Sequence, residues 1–346
     1  MSTSSRHTVH LALTPWDLTD DYNRHGGVTL LSFLDNCSLP VVAHLLYDPS
    51  LSIGKQYEEQ YNKRFYIEIA ERYNCEIIFH PIVIPDDILE LVRDDRHTPG
   101  TLLRLYLPEL LPMVDKIIYL DCDIVVQTNI IDLWNIPIDN HYIAACLDPL
   151  STNIDKKWTN YCIDKKIPRD TYFNAGMIIM NLARLREGHY PFSTQMFEYL
   201  RAHQHLKFLD QDMLNWFCKG DYFLLSEKYN IFSGRSDALD FIDDCIIHYN
   251  GSVLKPWKIY SGKIDDPYWH YLVRTPWGED KLKLISYVRT ATDIKYSLLF
   301  VDRYLYILDG GSFSKIKNLI NITFQMWKPV FSSLLLIVKN GLGNQK

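Results

Sequence analysis

Short apolar runs alternate with longer amphipathic segments from the amino terminus to about residue 275. Such runs are typical of buried strands, and apolar residues spaced three or four apart are typical of helices that cover a sheet. The alternation predicts an α/β fold with a mostly parallel sheet and helices on both faces, whose ligands bind beyond the carboxyl ends of the strands. The predicted strands are residues 9–13, 41–46, 76–80, 116–120, 142–146, 177–180, 222–225 and 245–248, and the predicted helices are residues 27–33, 56–73 and 102–111.

The pattern changes at about residue 276. Between Gly310 and Lys346 the chain has five lysines and no acidic residue, and aromatic and apolar residues lie between them. The apolar run at residues 330–338 is too short to cross a bilayer, which needs about 20 residues. We therefore predict one domain at residues 8–275 and a basic amphipathic helical segment at residues 276–346, suited to lying on an anionic membrane. The alternative is a helix that packs on the main domain with its lysines in solvent.

Composition narrows the classes of protein. The formal net charge of −6 argues against a general nucleic-acid binder, which needs a basic surface. The seven cysteines form no Cys-x-x-Cys pair, so neither a disulfide framework nor a zinc ribbon is expected. The polar first ten residues do not resemble a signal peptide. Together with the basic segment, these features predict a cytoplasmic protein, peripheral on the inner face of the cytoplasmic membrane.

Two carboxylates follow a predicted strand directly. Asp121 and Asp123 flank Cys122 after the apolar residues 117–120. Side chains at positions i and i+2 of an extended chain point the same way, so both carboxylates can reach one divalent cation. An exposed Asp-x-Asp turn without a metal is the alternative.

Other polar residues lie at the ends of apolar runs. His248 ends the predicted strand 245–248 and precedes Gly251 and Lys255, residue types that let backbone and ammonium approach a phosphate. Asn174 and Ala175 precede the apolar run 177–180. Asp210 and Asp212 flank Gln211, and the alternative to a binding role for them is capping of the amino terminus of a helix. For Arg104 the alternative is a surface ion pair.

Five blocks of the sequence, which occur in the same order as in the family, resemble glycosyltransferase family 8. This family contains bacterial lipopolysaccharide galactosyl- and glucosyltransferases and glycogenin. The resemblance covers roughly residues 8–260. The blocks are residues 11–14 with Tyr22 and Ser32, residues 101–104, residues 119–123, residues 173–176 with Asn181 and Leu182, and residues 210–212 with 248–257.

The resemblance implies a GT-A fold, a Rossmann-like sheet with the nucleotide and a metal at its carboxyl edge. It implies that Asp121, Asp123 and His248 ligate Mn²⁺, with Mg²⁺ as the alternative. The residues implied to bind a UDP-hexose donor are Ala12, Leu13, Thr14, Tyr22, Arg104, Asp121, Cys122, Asp123, Asn174, Ala175, Asp210, Gln211, Gly251 and Lys255. The sequence departs from the family pattern in two places. The loop at residues 15–21 is longer, which leaves open which of Asp17, Asp20 and Asp21 faces uracil. One extra residue lies between His248 and Lys255.

The implied activity is the retaining transfer of galactose or glucose from a UDP-sugar to a saccharide acceptor, expected to be lipid-linked lipopolysaccharide or another cell-surface glycan. Asp210 and Gln211 are the catalytic candidates, through either a double displacement or attack on the leaving-group face. A sugar-1-phosphate nucleotidyltransferase is the first alternative, although residues 13–27 lack the glycine-rich basic loop that would cradle a triphosphate. A membrane-tethered sugar-binding protein without activity is the second.

Overall fold

The computed structural model describes residues 8–20, 22–92, 98–188, 191–251, 255–258 and 262–278. The predicted basic segment at residues 276–346 falls almost entirely outside them, so its helical structure and membrane contact stay predictions. No helix in the described ranges is long and apolar enough to span a membrane.

Strands and helices alternate through the described chain, as the apolar pattern predicts. In order they are β1 (Val9–Trp16), α1 (Asn23–Asp35), β2 (Val41–Tyr47), α2 (Gln56–Glu71), β3 (Cys75–Pro81), α3 (Asp86–Leu91), α4 (Leu107–Leu110), β4 (Lys116–Leu120), β5 (Ile124–Val126), α5 (Ile130–Trp134), β6 (Ile143–Leu147), α6 (Lys156–Asp164), β7 (Phe173–Asn181), α7 (Leu182–Leu185), α8 (Phe192–Ala202), α9 (Leu209–Cys218), β8 (Phe223–Leu224), β9 (Ile231–Phe232), β10 (Ile246–His248) and α10 (Asp266–Leu272). Short 3₁₀ helices lie at Pro49–Ser52, Pro99–Tyr106, Pro149–Thr152, Glu227–Tyr229, Ala238–Phe241, Lys263–Asp265 and Pro276–Gly278.

Seven strands form the main sheet in the order β3-β2-β1-β4-β7-β6-β8. The strands from β3 to β4 are parallel, β7 is antiparallel to both β4 and β6, and β8 is parallel to β6. The predicted mostly parallel α/β sheet is confirmed. Because β7 runs backwards, its amino end lies at the same edge as the carboxyl end of β4.

A smaller sheet of three strands, in the order β5-β10-β9, adjoins this edge. β10 pairs antiparallel with β5, so that His248 lies opposite Ile124, and it pairs parallel with β9. β5 and β9 have only three and two residues, too few to show a strand pattern in the sequence.

Helices cover both faces of the main sheet, over two apolar cores. Along β1 the fully buried side chains alternate, since Leu11 and Leu13 belong to one core and Ala12 to the other. Helices α1 and α10 contribute to the first core, and α8 and α9 contribute to the second. Each fully buried leucine contributes about 1.5–3 kcal/mol relative to an exposed one, so these cores fix the strand ends that carry the site.

Candidate active site

Asp121, Asp123 and His248 lie together where the two sheets meet. Asp121 follows β4, Asp123 precedes β5, and His248 is the last residue of β10. One ligand atom from each lies within 4.8 Å of the others. His248 Nε2 is 3.4 Å from Asp123 Oδ1 and 3.8 Å from Asp121 Oδ2. The structure thus brings together the three residues predicted as metal ligands.

Their bonding fits a divalent cation. The Oδ1 atom of Asp123 is buried and accepts no hydrogen bond within the described structure, which is costly unless a cation lies beside it. His248 Nδ1 lies 3.0 Å from Asn230 Oδ1, which places the proton on Nδ1 and leaves the Nε2 lone pair facing the carboxylates. Two carboxylates and an imidazole suit Mn²⁺, whereas Mg²⁺ prefers oxygen ligands alone.

Gly176 of β7 has no side chain, and the metal cluster occupies the space that a side chain would fill. A Cβ atom at this position would lie 2.3 Å from His248 Cε1 and 2.8 Å from Asp121 Oδ2. The backbone oxygen of Gly176 also accepts a hydrogen bond from the Asp121 amide at 2.8 Å. Only glycine allows this close approach of strand and ligands.

Arg104 connects the metal cluster to the start of helix α9. Its guanidinium donates to Asp121 Oδ1 at 2.7 Å and to the carbonyl oxygen of Ala175 at 2.6 Å, and its Nε lies 3.1 Å from Asp210 Oδ2. It also lies over the Tyr119 ring, 3.9 Å from the centroid. Burial alone would lower the pKa of Arg104, but the charge of Asp210, with Tyr119 and Asp121, raises it. Arg104 is only 2% exposed, so the alternative of a surface ion pair is wrong.

Gln211 and Asn174 form one hydrogen-bond network beside this cluster. Gln211 Oε1 accepts from the Ala175 amide and from Asn174 Nδ2, both at 3.0 Å. Asn174 Oδ1 accepts from Asn230 Nδ2 at 2.9 Å, and Asn230 in turn holds His248. The amide of Gln211 is therefore fixed in orientation and coupled to the metal cluster.

Asp148 and Asn230 belong to this network but were not predicted. Asp148 Oδ2 accepts from Asn174 Nδ2 at 3.1 Å and from Gln211 Nε2 at 3.3 Å. Asp148 directly follows β6, so the rule that singled out Asp121, a carboxylate just beyond an apolar strand, would have found it. Asn230 lies between a 3₁₀ helix and a two-residue strand, and no pattern in the sequence marks it.

The two aspartates that flank Gln211 have different roles. Asp212 accepts a hydrogen bond from the Phe208 amide at 3.0 Å and from Tyr172 at 2.6 Å, and it also bonds Tyr161. Burial raises the pKa of Asp212, although these hydrogen bonds oppose the shift. Asp212 therefore has the structural role at the helix start, whereas Asp210 turns to Arg104.

Lys255 brings a second cation to the cluster. Its ammonium forms an ion pair with Asp123. Burial would raise the pKa of Asp123, but the charge of Lys255 outweighs burial and lowers it. Gly251, between His248 and Lys255, has φ of +79°, a backbone conformation that favours glycine.

The remaining residues predicted to bind the donor differ widely in burial. Ala12 and Leu13 are fully buried, and Thr14 Oγ1 lies 2.8 Å from the Tyr119 hydroxyl. The thiol of Cys122 is buried, which raises its pKa. Tyr22 is 37% exposed. Contact of these residues with a UDP-sugar stays a prediction.

The acidic side chains of the first loop are engaged locally. Asp17 accepts from the Thr19 amide at 2.7 Å, and Asp20 accepts from the Tyr22 amide at 3.0 Å. Asp21 lies outside the described residues. Which of the three faces a nucleotide therefore stays open.

This arrangement suits chemistry at a phosphate. Asp121, Asp123 and His248 would hold a cation, and the first two of them are already paired with the guanidinium of Arg104 and the ammonium of Lys255. Such a concentration of positive charge stabilises the negative charge that develops on a departing diphosphate.

Two relatives by sequence are glycosyltransferases by name. The first is a Haemophilus influenzae protein named only as a glycosyltransferase, which is 32% identical over 171 residues. The aligned region covers 49% of this chain and 51% of that protein. This chain thus spans about half the length of that relative. The lipopolysaccharide 1,3-galactosyltransferase of Salmonella typhimurium is 23% identical over 257 residues, covering 70% of this chain and 74% of the relative.

A solved structure confirms the predicted GT-A fold. The galactosyltransferase LgtC, in complex with donor and acceptor sugar analogs, aligns with 78% of this chain and 96% of its own at a TM-score of 0.56 and 18% identity. The model of glycosyl transferase family 8 matches residues 15–260, more than half of the chain. The chain belongs to glycosyl transferase family 8.

Proposed function

We propose that this protein is a divalent-metal-dependent hexosyltransferase that moves galactose or glucose from a UDP-sugar to a saccharide acceptor with retention of configuration. The observation that carries the proposal is the convergence of Asp121, Asp123 and His248 next to two cationic side chains. The names of the Salmonella relative and of the LgtC complex support a hexose donor and a sugar acceptor. Membership of family 8 favours sugar transfer over the nucleotidyltransferase alternative.

Asp121, Asp123 and His248 would hold Mn²⁺, and a bound Mn²⁺ supplies positive charge to the diphosphate of the leaving group. Lys255 can donate to a phosphate oxygen once its ammonium leaves Asp123. Arg104 contacts Asp121 through one nitrogen and Asp210 through another. It therefore fixes the position of Asp210, a predicted donor-binding residue, relative to the metal cluster.

Two features favour attack on the leaving-group face over a covalent intermediate. The Oε1 atom of Gln211, already a weak nucleophile, accepts two hydrogen bonds. The carboxylate of Asp210 is paired with Arg104, which reduces its nucleophilicity. In this route the acceptor hydroxyl passes its proton to the departing diphosphate as the new glycosidic bond forms.

The test is transfer from a panel of UDP-sugars with Mn²⁺, measured as UDP release with and without acceptor, together with the anomeric configuration of the product. Asp123→Asn should lower turnover by about a hundredfold or more, because the diphosphate loses its counter-charge. Asp115→Asn is the matched control, since Asp115 is exposed and lies before β4.

Lipid-linked oligosaccharide and soluble glycan acceptors would separate the acceptor classes, the first being expected. Full activity of Asp123→Asn in metal-free buffer would contradict the proposed function. UDP-sugar binding without release of UDP would support the alternative of a sugar-binding protein without activity.

A further inference from the structure

Three aromatic side chains connect helices α1 and α10 to the segment that carries Lys255. His25 of α1 stacks on Trp257 with ring centroids 3.5 Å apart and planes 17° apart. Tyr268 of α10 packs against Trp257 at 5.2 Å, and its hydroxyl lies 2.6 Å from His25 Nδ1. We name His25, Trp257 and Tyr268 the Trp257 clamp.

Two members of the clamp are interior and the third is half-buried. His25 and Tyr268 are each 1% exposed, and Trp257 is partly exposed. Burial and the neighbouring charges of Arg24 and Lys255 lower the pKa of His25, so its ring is neutral at ordinary pH. A neutral ring can lie flat on the indole without repelling the nearby ammonium.

Trp257 is tied closely to Lys255. Only Pro256 separates them, and the proline ring fixes one of the backbone torsions between the two side chains. The ammonium of Lys255 lies 5.6 Å from the centroid of the Trp257 ring and contacts Asp123. Whatever fixes Trp257 therefore limits where the ammonium can go.

Tyr268 also contacts the chain on the other side of Gly251. Its ring meets that of Tyr249 edge-on at 6.1 Å, and the Tyr249 amide donates to the carbonyl oxygen of Asp123 at 3.0 Å. Tyr268 thus packs against both Tyr249, which follows His248, and Trp257, which lies two residues after Lys255.

We propose that His25 and Tyr268 are positioning residues, which hold Trp257 so that the Lys255 ammonium faces the diphosphate of the donor. This inference rests on the proposed function. The physical reason is that a clamped lysine loses little freedom when it binds, whereas a loose one must be ordered at the expense of affinity.

The test is a double-mutant cycle on UDP affinity, measured by calorimetry with saturating Mn²⁺. His25→Ala should weaken UDP binding by about three- to tenfold, the effect of freeing a side chain that binding must order again. Lys255→Met should weaken it by about ten- to a hundredfold, because a charged hydrogen bond to phosphate is lost. In the Lys255→Met background, His25→Ala should have no further effect, because the clamp acts through Lys255.

Two further variants separate positioning from folding. His25→Phe keeps the stacked ring and should retain most of the affinity, and Tyr268→Phe, which removes only the hydroxyl, should weaken binding less than His25→Ala. His141→Ala is the matched control, because His141 lies on the turn before β6 and pairs with Asp221. It should bind UDP as the unaltered protein does.

The outcomes that overturn the inference are distinct. Additive effects of His25→Ala and Lys255→Met, or unchanged affinity in His25→Ala while Lys255→Met is impaired, would remove the clamp and leave the proposed function intact. If the unaltered protein does not bind UDP with Mn²⁺, the proposed function fails and the clamp inference fails with it.

Discussion

Each of the two carboxylates in the metal cluster has a cationic partner. Asp121 is paired with Arg104, Asp123 is paired with Lys255, and His248 faces both carboxylates. Without these partners, two carboxylates so close together would repel each other. The pairing with Arg104 and Lys255 offsets that repulsion before a cation binds.

Gly176→Ala tests how little space the metal cluster has. The added methyl would overlap His248 and Asp121, so we expect affinity for Mn²⁺ alone to fall by about ten- to a hundredfold. Calorimetry with Mn²⁺ and no nucleotide measures this.

Gly27→Ala is the matched control for Gly176→Ala. Its Cβ would lie 2.3 Å from the Trp277 ring, outside the metal cluster. It should cost about 1–3 kcal/mol of stability, as overpacking does, and spare Mn²⁺ binding. Equal Mn²⁺ affinity in both variants would show that the room left by Gly176 is unimportant to the metal.

The site residues that sequence alone could predict are those next to strongly patterned elements. Asp121 and Asp123 follow an apolar run, and His248 ends one, so their placement at the sheet edge was foreseeable. Asn230 lies among elements of two or three residues and becomes visible only through its hydrogen bonds to Asn174 and His248.

Among the elements, the strands were predicted more closely than the helices. The apolar run at residues 116–120 coincides with β4, whereas the predicted helix 102–111 is a 3₁₀ helix followed by the four-residue α4. Pro108 has no amide hydrogen to donate within a continuous helix, which explains the break. Similarly, residues 173–176 were expected to precede a strand but are the start of β7, because Asn174 and Gly176 interrupt the apolar run that predicts the strand.

Helix α9 depends on Asp212 for its attachment to neighbouring elements. Asp212→Ala would leave the hydroxyls of Tyr161 and Tyr172 and the Phe208 amide without this acceptor. We expect the free energy of unfolding, measured by urea denaturation, to fall by about 2–4 kcal/mol. UDP binding should also weaken, because α9 carries Asp210 and Gln211.

The controls for Asp212→Ala are Asp212→Asn, which keeps one acceptor oxygen and should lose less, and Asp164→Ala at an exposed position. If Asp212→Ala is no less stable than Asp164→Ala, the aspartate does not anchor the helix.

For the whole molecule, a row of histidines across three parallel strands predicts a dependence of stability on pH. His44 of β2 lies between His10 of β1 and His80 of β3, at 3.1 Å and 3.0 Å. Burial, reinforced by His80 and His10, lowers the pKa of His44 to about 3 from an unfolded value of about 6.5. The unfolded chain therefore binds a proton that the folded protein excludes between these pH values.

The contribution of His44 to the free energy of unfolding is fully present above pH 6.5 and is lost as the pH falls toward 3. We expect the free energy of unfolding to decrease by up to about 1.4 kcal/mol per pH unit below 6.5 from His44 alone. Urea denaturation between pH 7 and pH 5, above the range where most carboxylates titrate, measures the slope. His44→Gln removes the titrating group and should flatten it, whereas an unchanged slope would exclude His44 as the cause.

The division of the site between two sheets has a consequence for the order of synthesis. The ribosome makes Arg104 before Asp121 and Asp123, so a counter-charge is present when the two carboxylates emerge. β10, with His248, and then Lys255 emerge much later, and until then β5 lacks β10, the strand with which it pairs. We therefore expect a growing chain to acquire its capacity for a metal in a single late event, when β10 docks on β5.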